Sequence, residues 1–315
     1  MSEILVRPLA EADLPEADRI NRIAFGTFFG LEDPTRFRGD GDVVHGRFRA
    51  NPDGAFAAEI DGRLVGCGFV MDWGSAGILG PLTVDVELWS RGIARAMMVE
   101  MTAWMDRRGF ALQGLFTHPQ SPKHVRLYET FGFELERITG VMDKQVAADA
   151  VLADGVRLYS QLDAAGQAAA LEACRAVAGS VYPGLDLSRE IGVIADMGLG
   201  DTLLIARDGA VCGLACCHHG AMSEAGSAQA VVKFAAVRSG PRADADFASL
   251  LAACEGFAAA CGVTRLVAGT SSARAECYRA MQAAGFRTWM NGVAMLRAGA
   301  PGYNRPDAFA IDDWR

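Results

Sequence analysis

Residues 79–95 have the sequence LGPLTVDVELWSRGIAR, which predicts an apolar strand that passes through a glycine-containing turn into a helix. The first N–H groups of a helix have no partner inside it and lie at the positive end of its dipole. Gly92 lets an anion approach the backbone, while Arg91 and Arg95 add forked donors that match phosphate oxygens. The stretch predicts a pyrophosphate site at a helix N-terminus.

A second motif lies downstream in residues 121–133, SPKHVRLYETFGF. Its apolar residues recur at helical spacing, and Gly132-Phe133 ends the helix before an apolar strand. We predict a helix over 96–108 and a strand over 110–117 between the two motifs. The first motif lacks both nucleotide-binding signatures, Gly-x-x-x-x-Gly-Lys-Ser/Thr and Gly-x-Gly-x-x-Gly.

In this order the two motifs resemble the GNAT N-acetyltransferase superfamily. The family's acyl-CoA loop reads Gln/Arg-x-x-Gly-x-Gly/Ala after a strand containing Val; Gly92 and Ala94 match it, whereas Trp89 stands where Gln or Arg is expected. The family's Tyr-x-x-x-Gly-Phe element matches Tyr128 and Gly132-Phe133. Taken alone, the loop is also compatible with a surface helix that has a glycine near its start, and Tyr128 with an ordinary packed aromatic.

The chain also repeats itself. Asp61-Gly62-x-x-x-Gly66 recurs 147 residues later as Asp208-Gly209-x-x-x-Gly213, in each case between two apolar strands predicted at 55–60 with 64–73 and at 202–207 with 211–218. Four further features recur at a constant offset of 153 residues: Val84, Gly109, Thr117 and Gly132-Phe133 match Val237, Gly262, Thr270 and Gly285-Phe286. The repeat indicates a duplicated fold.

The resemblance and the repeat together predict an α+β (mixed α/β) protein with two tandem GNAT-like domains. Each is expected to have a mostly antiparallel central sheet with a splayed parallel pair, flanked by helices. We place a catalytic domain at 1–145, a linker at about 146–155 and a degenerate domain at 156–315.

Only the first half keeps the residues that the chemistry needs. At the 153-residue offset, residues 90–95 (SRGIAR) align with residues 243–248 (ADADFA), so the glycine and both arginines are lost. Asp244 and Asp246 would face the phosphates there, and like charge disfavours binding. Tyr128 aligns with Met281, which cannot donate a proton. We expect no ordinary acyl-CoA binding in the second half.

For the first half the resemblance implies acetyl-CoA as co-substrate, with direct attack of an amine on the thioester. Tyr128 is implied as the general acid for the thiolate, and Asp85, Glu87 or His118 could act as the base. The backbone near Val84 would stabilise the oxyanion. The expected cofactor-binding residues are Leu82, Thr83, Val84, Trp89, Ser90, Arg91, Gly92, Ile93, Ala94, Arg95, His124 and Tyr128.

Composition narrows the remaining possibilities. The 315 residues are 51% hydrophobic and carry a net charge of −8 without a Lys/Arg-rich run, so nucleic acid is not an expected partner. Eight cysteines in apolar segments, with no leader or membrane span recognised, favour a cytoplasmic protein. The group Cys212, Cys216, Cys217, His218 and His219 invites a zinc interpretation, but alternation along a strand would place Cys212, Cys216 and His218 on one face and Cys217 and His219 on the other. We therefore expect no metal.

The acceptor is expected to be a small-molecule or protein amine, and a homodimer is possible. A helix at 11–25 and an irregular stretch at 26–46 are expected over the acceptor side, with residues 26–30 (GTFFG) as either a mobile wall or a packed loop. The alternative functions are a non-catalytic acyl-CoA-binding regulatory module, which Trp89 favours, and a purely structural tandem domain.

Overall fold

The strands of the first half follow the predicted order. The computed structural model describes residues 3–297 and 302–314. Elements of the first half are β1 (Leu5–Pro8), α1 (Leu14–Phe28), α2 (Val44–Ala50), β2 (Ala55–Ile60), β3 (Arg63–Trp73), β4 (Ala76–Val84), α3 (Ile93–Arg108), β5 (Leu112–Thr117), α4 (Pro122–Glu129) and β6 (Phe133–Gln145). The β2–β3 hairpin turns at Asp61-Gly62, where φ is 49° and 78°, as the predicted Asp-Gly turn requires.

The second half repeats this order of elements. They are β7 (Arg157–Leu158), α5 (Ala164–Val181), α6 (Ser188–Met197), β8 (Gly200–Arg207), β9 (Ala210–Gly220), β10 (Gly226–Val237), α7 (Ala243–Ala260), β11 (Arg265–Ser271), α8 (Ala275–Ala283), β12 (Arg287–Arg297) and β13 (Ala310–Ile311). Glycines at the aligned positions share a left-handed conformation: φ is 69° at Gly109 and 75° at Gly262, just after α3 and α7. The predicted duplication is therefore present in the backbone.

The two halves exchange their last long strands. Twelve of the strands run in the order β1-β2-β3-β4-β5-β12-β6-β11-β10-β9-β8-β7, so β12 lies beside β5 of the first half and β6 beside β11 of the second. Gly140 of β6 pairs with Thr270, and the residues 153 positions away, Val293 and Thr117, pair in the same way. This pseudo-twofold arrangement joins the halves into one continuous mixed sheet. The domain bounds 1–145 and 156–315 stay a prediction made from the sequence.

A splayed parallel pair opens the sheet of the first half. β4 and β5 pair in parallel from Ala76 with Leu112 to Leu79 with Leu115. On its other edge, β4 pairs with β3 through a bulge beside Gly80 and Pro81, and bulges bend the strand that carries them. Beyond Leu79 no strand of the described chain pairs with the β5-facing edge of β4.

The corresponding opening in the second half is occupied by the chain's own C-terminal segment. β10 and β11 pair in parallel only at Ala230 with Leu266 and at Val231 with Val267. Farther along, β13 pairs antiparallel with β10, Ile311 opposite Ala235 and Ala310 opposite Ala236. Asp312 N donates to Gly269 O of β11 at 3.0 Å, so the segment spans the gap between the two strands.

Helices cover both faces of the sheet. In the first half, α3 buries Met97, Met98, Met101 and Met105 against one face, while α1 buries Leu14, Ala17 and Ile20 against the other. A third core at the junction of the halves contains Trp73, Phe234 and Trp314. Among the described helices, none combines the length and apolar character needed to cross a bilayer.

Two details differ from the sequence expectations. The stretch 26–46 was predicted to be irregular, but its last residues begin α2. This helix has only seven residues, of which Val44, Gly46 and Arg47 are buried, so it has no extended apolar pattern that the sequence could show. Cys212 was expected to share a face with Cys216, but a bulge between β8 and β9 shifts the alternation, so Cys212 packs on the α7 side with Cys217, while Cys216 faces the core between the halves.

Candidate active site

The open edge of β4 presents backbone groups to the splay. Asp85 N donates to Val65 O on the β3 side at 2.9 Å, and because successive peptide groups alternate in direction, those of Leu82 and Val84 face the opening. Pro81 has no N–H to offer. The predicted pantetheine contacts at Leu82 and Val84 thus lie on an edge that an extended ligand could join as a strand, whereas Thr83 directs its backbone toward β3.

Trp89 folds back onto this edge. Its indole Nε1 donates to Val84 O at 2.9 Å, and the ammonium of Lys123 lies 4.6 Å from the ring centroid. The indole therefore fixes the path of the loop between β4 and α3 and links it to α4. The same hydrogen bond occupies Val84 O, one of the backbone acceptors on the open edge of β4.

The N-terminus of α3 is open to an anion. Gly92 precedes the helix with φ 85° and Ser90 has φ 66°, conformations that turn the loop sharply into the helix. No side chain caps this end, and Ala96 N to Gly92 O (3.0 Å) is the first helical bond, so the N–H groups of Ile93, Ala94 and Arg95 have no helical acceptor. Arg91 and Arg95 are exposed beside them. This end of α3 has the donors that a pyrophosphate needs.

Tyr128 lies on α4, the helix that follows β5. Its ring packs edge-on against Phe133, with centroids 6.4 Å apart. Burial raises the pKa of Tyr128 to about 12, so the phenol keeps its proton throughout the neutral range. A protonated phenol is the state that a general acid requires.

His118 and His124 stand close to the splay, at the end of β5 and on α4. Burial lowers the pKa of His118 to about 4, with a further contribution from His124. The His118 side chain is 8% exposed, and its Nδ1 is buried without a hydrogen-bond partner. Burial and Lys123 also lower the pKa of His124. Both imidazoles are neutral at physiological pH and can accept a proton.

The carboxylate of Asp85 is engaged elsewhere. It accepts hydrogen bonds from Glu87 N at 3.2 Å and from Arg63 Nη2 at 3.1 Å, and Arg19 Nη2 lies 3.9 Å away. The Asp85 carboxylate is therefore engaged in ion pairs with Arg63 and Arg19. Among the candidate bases, His118 has a ring nitrogen, Nδ1, that forms no hydrogen bond.

The second half uses the same positions for its own packing. Asp246 at the start of α7 forms an ion pair with Arg207, and Met281 is fully buried in the core. Arg274, 153 positions after Ser121, is buried and binds Asp312 of the C-terminal segment. The strand edge of the second splay is thus occupied by a segment of the chain itself, and Asp244 and Asp246 place carboxylates in the first turn of α7.

A buried charge cluster, which sequence reasoning missed, joins the second half to the first site. Arg47 Nη1 donates to Gly80 O at 2.5 Å, where β4 begins to diverge, while Nε and Nη2 contact Glu224 at 2.9 and 3.2 Å. Burial opposes ionisation of Glu224, but Arg47 and Lys233 hold its pKa well below the usual range. Arg47 and Glu224 are 177 residues apart, and no local pattern indicates the pair.

Comparisons with known proteins agree with this geometry. The model of the Acetyltransferase (GNAT) family matches residues 17–133. A putative acetyltransferase from Pyrococcus horikoshii has a similar structure, with TM-score 0.69 and 14% identity over 99% of this chain and 95% of that chain. A GCN5-related N-acetyltransferase from Sphaerobacter thermophilus has TM-score 0.58 and 16% identity over 93% of this chain and 95% of that chain. At these identities the structural likeness shows the fold alone. Among curated proteins no sequence matches significantly.

The splayed sheet and the open N-terminus of α3 both lie within the part of the chain that the family model matches. Residues 17–133 are therefore similar to the Acetyltransferase (GNAT) family. Within residues 3–297 and 302–314, His, Cys, Asp and Glu side chains form no group of three or more that could hold a metal ion.

Proposed function

We propose that the protein is an acetyl-CoA-dependent N-acetyltransferase whose first half carries the reaction. The observation that supports this most directly is the continuous path from the unpaired edge of β4 to the uncapped N-terminus of α3, with the protonated Tyr128 on the neighbouring helix. The edge suits the amides of a pantetheine arm, and the helix end suits a pyrophosphate.

The chain's residues would divide the work of one acetyl transfer. The acceptor nitrogen bonds to the thioester carbon, the C–S bond breaks, and the products are an amide and a free thiol. Leu82 or Val84 N–H would stabilise the oxyanion, Tyr128 would give its proton to the departing thiolate, and His118 would take the proton that the amine loses, through a water molecule.

A free-thiol release assay with acetyl-CoA and a panel of amines tests this proposal. Tyr128→Phe keeps the packing on Phe133 and removes only the hydroxyl, so we expect kcat to fall at least tenfold with little change in the KM for acetyl-CoA. Phe131→Leu, also on the α4 side but without an acidic proton, is the matched control. Unchanged kcat in Tyr128→Phe would exclude the phenol as the acid.

The alternative is a non-catalytic acyl-CoA-binding regulatory module, and one observation favours it. Trp89 Nε1 occupies Val84 O, an acceptor that a pantetheine amide would otherwise use. Such a module would gain thermal stability with acetyl-CoA yet release no thiol with any amine.

We also propose that the chain binds one acyl-CoA. The C-terminal segment supports this because it occupies the second splay, and so do Asp244 and Asp246, whose carboxylates in the first turn of α7 disfavour a phosphate there. Isothermal titration calorimetry should give one site per chain. Asp244→Arg, at an exposed position of α7, should leave the affinity unchanged; a large loss of affinity would refute the assignment.

A further inference from the structure

Aromatic side chains gather where the first half opens. Phe28 lies with its ring centroid 5.2 Å from that of His118 and 5.3 Å from that of His124, and Phe29 meets His118 edge-on at 5.2 Å. Phe116 meets the same imidazole edge-on at 5.5 Å. The aromatic cluster consists of Phe25, Phe28, Phe29, Phe37, Phe116, His118 and His124.

Most phenyl rings of this cluster lie outside the core; Phe116 alone among them packs against it. All five phenylalanines are partly or largely exposed, and Phe29 is 41% exposed. Five of the 16 phenylalanines of the chain therefore share one partly solvated surface. A contiguous apolar patch of this kind marks a place where a ligand or partner removes water.

The surface is held in shape by polar contacts behind it. Arg22 pairs with Asp18 at 2.6 Å and donates to the carbonyls of Phe37, Gly39 and Gly41 at 2.6–2.9 Å. One guanidinium thus fixes the segment that carries Phe37. The rings form a preorganised wall, which lowers the entropic cost of binding a ligand.

The aromatic cluster adjoins the reacting centre. Phe116 and His118 follow the part of β5 that pairs with β4, and His124 lies one helical turn before Tyr128 on α4. Phe28, at the end of α1, therefore contacts both His118, which follows β5, and His124, which lies on α4 with Tyr128. The imidazole of His118, whose Nδ1 is buried without a hydrogen-bond partner, has its centroid 5.2–5.5 Å from those of the Phe28, Phe29 and Phe116 rings.

The chemistry of the wall selects the ligand. Phenyl faces attract a single ammonium group through their quadrupole, and they bury apolar carbon well. Each additional charge on a ligand would have to be desolvated against the rings.

We propose that the aromatic cluster is the acceptor pocket and that the acceptor is a primary amine carried on an aromatic or similarly bulky apolar group. This inference rests on the proposed function and deepens it. The apolar group of the acceptor packs against the exposed side of Phe29, beside the Phe28–Phe29 contact, and its nitrogen is directed toward His118 and the thioester carbon.

Three amines measure the preference in the full-length protein: 2-phenylethylamine, 2-aminoethanol and 1,4-diaminobutane. They share a primary amine on a two-carbon or longer chain and differ in the ring, the hydroxyl and the second charge. We expect kcat/KM for 2-phenylethylamine to exceed that for each of the others at least tenfold, as differential burial of a phenyl group implies.

A pair of variants assigns this preference to the cluster. Phe29→Ala should lower kcat/KM for 2-phenylethylamine about tenfold and leave the KM for acetyl-CoA unchanged. Leu31→Ala is the matched control, because Leu31 is 42% exposed, lies two residues away and makes none of the ring contacts. It should leave both constants unchanged.

The outcomes separate this inference from the proposed function. Thiol release that is as efficient with 2-aminoethanol or 1,4-diaminobutane as with 2-phenylethylamine would overturn the acceptor class and leave the acetyltransferase proposal standing. Equal effects of Phe29→Ala and Leu31→Ala on kcat/KM for 2-phenylethylamine would likewise overturn the acceptor class. Absence of thiol release with every amine, together with no thermal stabilisation by acetyl-CoA, would remove the proposed function and the inference with it.

Discussion

The ion pair that anchors the C-terminal segment offers a quantitative test of how the second cleft is closed. Asp312 accepts hydrogen bonds from Arg274 Nη1 at 2.5 Å and Nη2 at 3.1 Å, and Tyr303 donates its hydroxyl to the same carboxylate. The Arg274 side chain is 0% exposed and that of Asp312 2%. Arg274 also donates to Ala310 O of β13 at 3.1 Å. The pair therefore holds the segment in place from the base of α8.

Replacing Asp312 by Asn should destabilise the protein strongly. It keeps the volume and one carbonyl oxygen but leaves the guanidinium of Arg274 buried without an opposing charge. Loss of one partner of a buried pair costs about 3–5 kcal/mol, and the retained acceptor sets the expectation at about 3 kcal/mol. The double variant Arg274→Met with Asp312→Leu should recover much of this loss, because no unpaired charge remains.

Urea unfolding followed by tryptophan fluorescence measures the change, since the Trp314 ring lies 5.4 Å from that of Tyr303 in the same segment. Asp307→Asn is the matched control, with a side chain 70% exposed and 3.5 Å from Arg305, and it should change the free energy of unfolding by less than about 0.5 kcal/mol. A loss below about 1 kcal/mol in Asp312→Asn, or one equal to that of the control, would refute the assignment of the pair as the anchor.

Three further predictions concern the first half. Gly92→Glu should abolish the thermal stabilisation by acetyl-CoA, because it puts a side chain at φ 85° and a negative charge at the phosphate position, whereas Trp89→Gln should retain it. Glu224→Gln should lower the free energy of unfolding by about 3 kcal/mol in urea titrations, since Arg47 and Lys233 lose their shared carboxylate; a change no larger than that of Asp307→Asn would count against the cluster. Because the folded-state pKa of His118 is lowered to about 4, the unfolded chain binds its proton first, so stability from this group should fall as pH drops from about 6.5 to 4; His118→Gln should remove that part of the pH dependence, and an unchanged profile would contradict it.

The local parts of this structure follow from the sequence. Alternating apolar residues and the Asp61-Gly62 turn suffice for β2 and β3, because a hairpin needs only neighbours in the chain. The loop into α3 is equally local: Gly92 has the left-handed φ that only glycine adopts without strain. The internal repeat adds Gly109 and Gly262, whose matching φ values mark the same helix end in both halves.

The exchange of β6 and β12 could not be predicted in this way. Each strand is apolar enough to pair within its own half, and the same alternation satisfies either arrangement. The position of β13 could not be predicted either, because this two-residue strand forms only where the gap beside β10 leaves an edge for it to pair with. In the candidate site, Tyr128 and the loop before α3 could be identified from the sequence because they lie in short motifs. The Arg47–Glu224 pair could not, because its two residues come together only when the halves pack against each other.

Strand exchange explains why a half without the phosphate-binding residues remains part of the protein. β5, which leads to His118, is flanked by β4 on one side and by β12 of the second half on the other, with Val293 opposite Thr117. Without β12 that edge of β5 would expose unpaired N–H and C=O groups next to the site. The second half also supplies Glu224, which holds Arg47 on the carbonyl of Gly80 where β4 diverges. The degenerate half thus supports both walls of the splay, β5 through a strand and β4 through a buried ion pair, while its own splay is filled by β13.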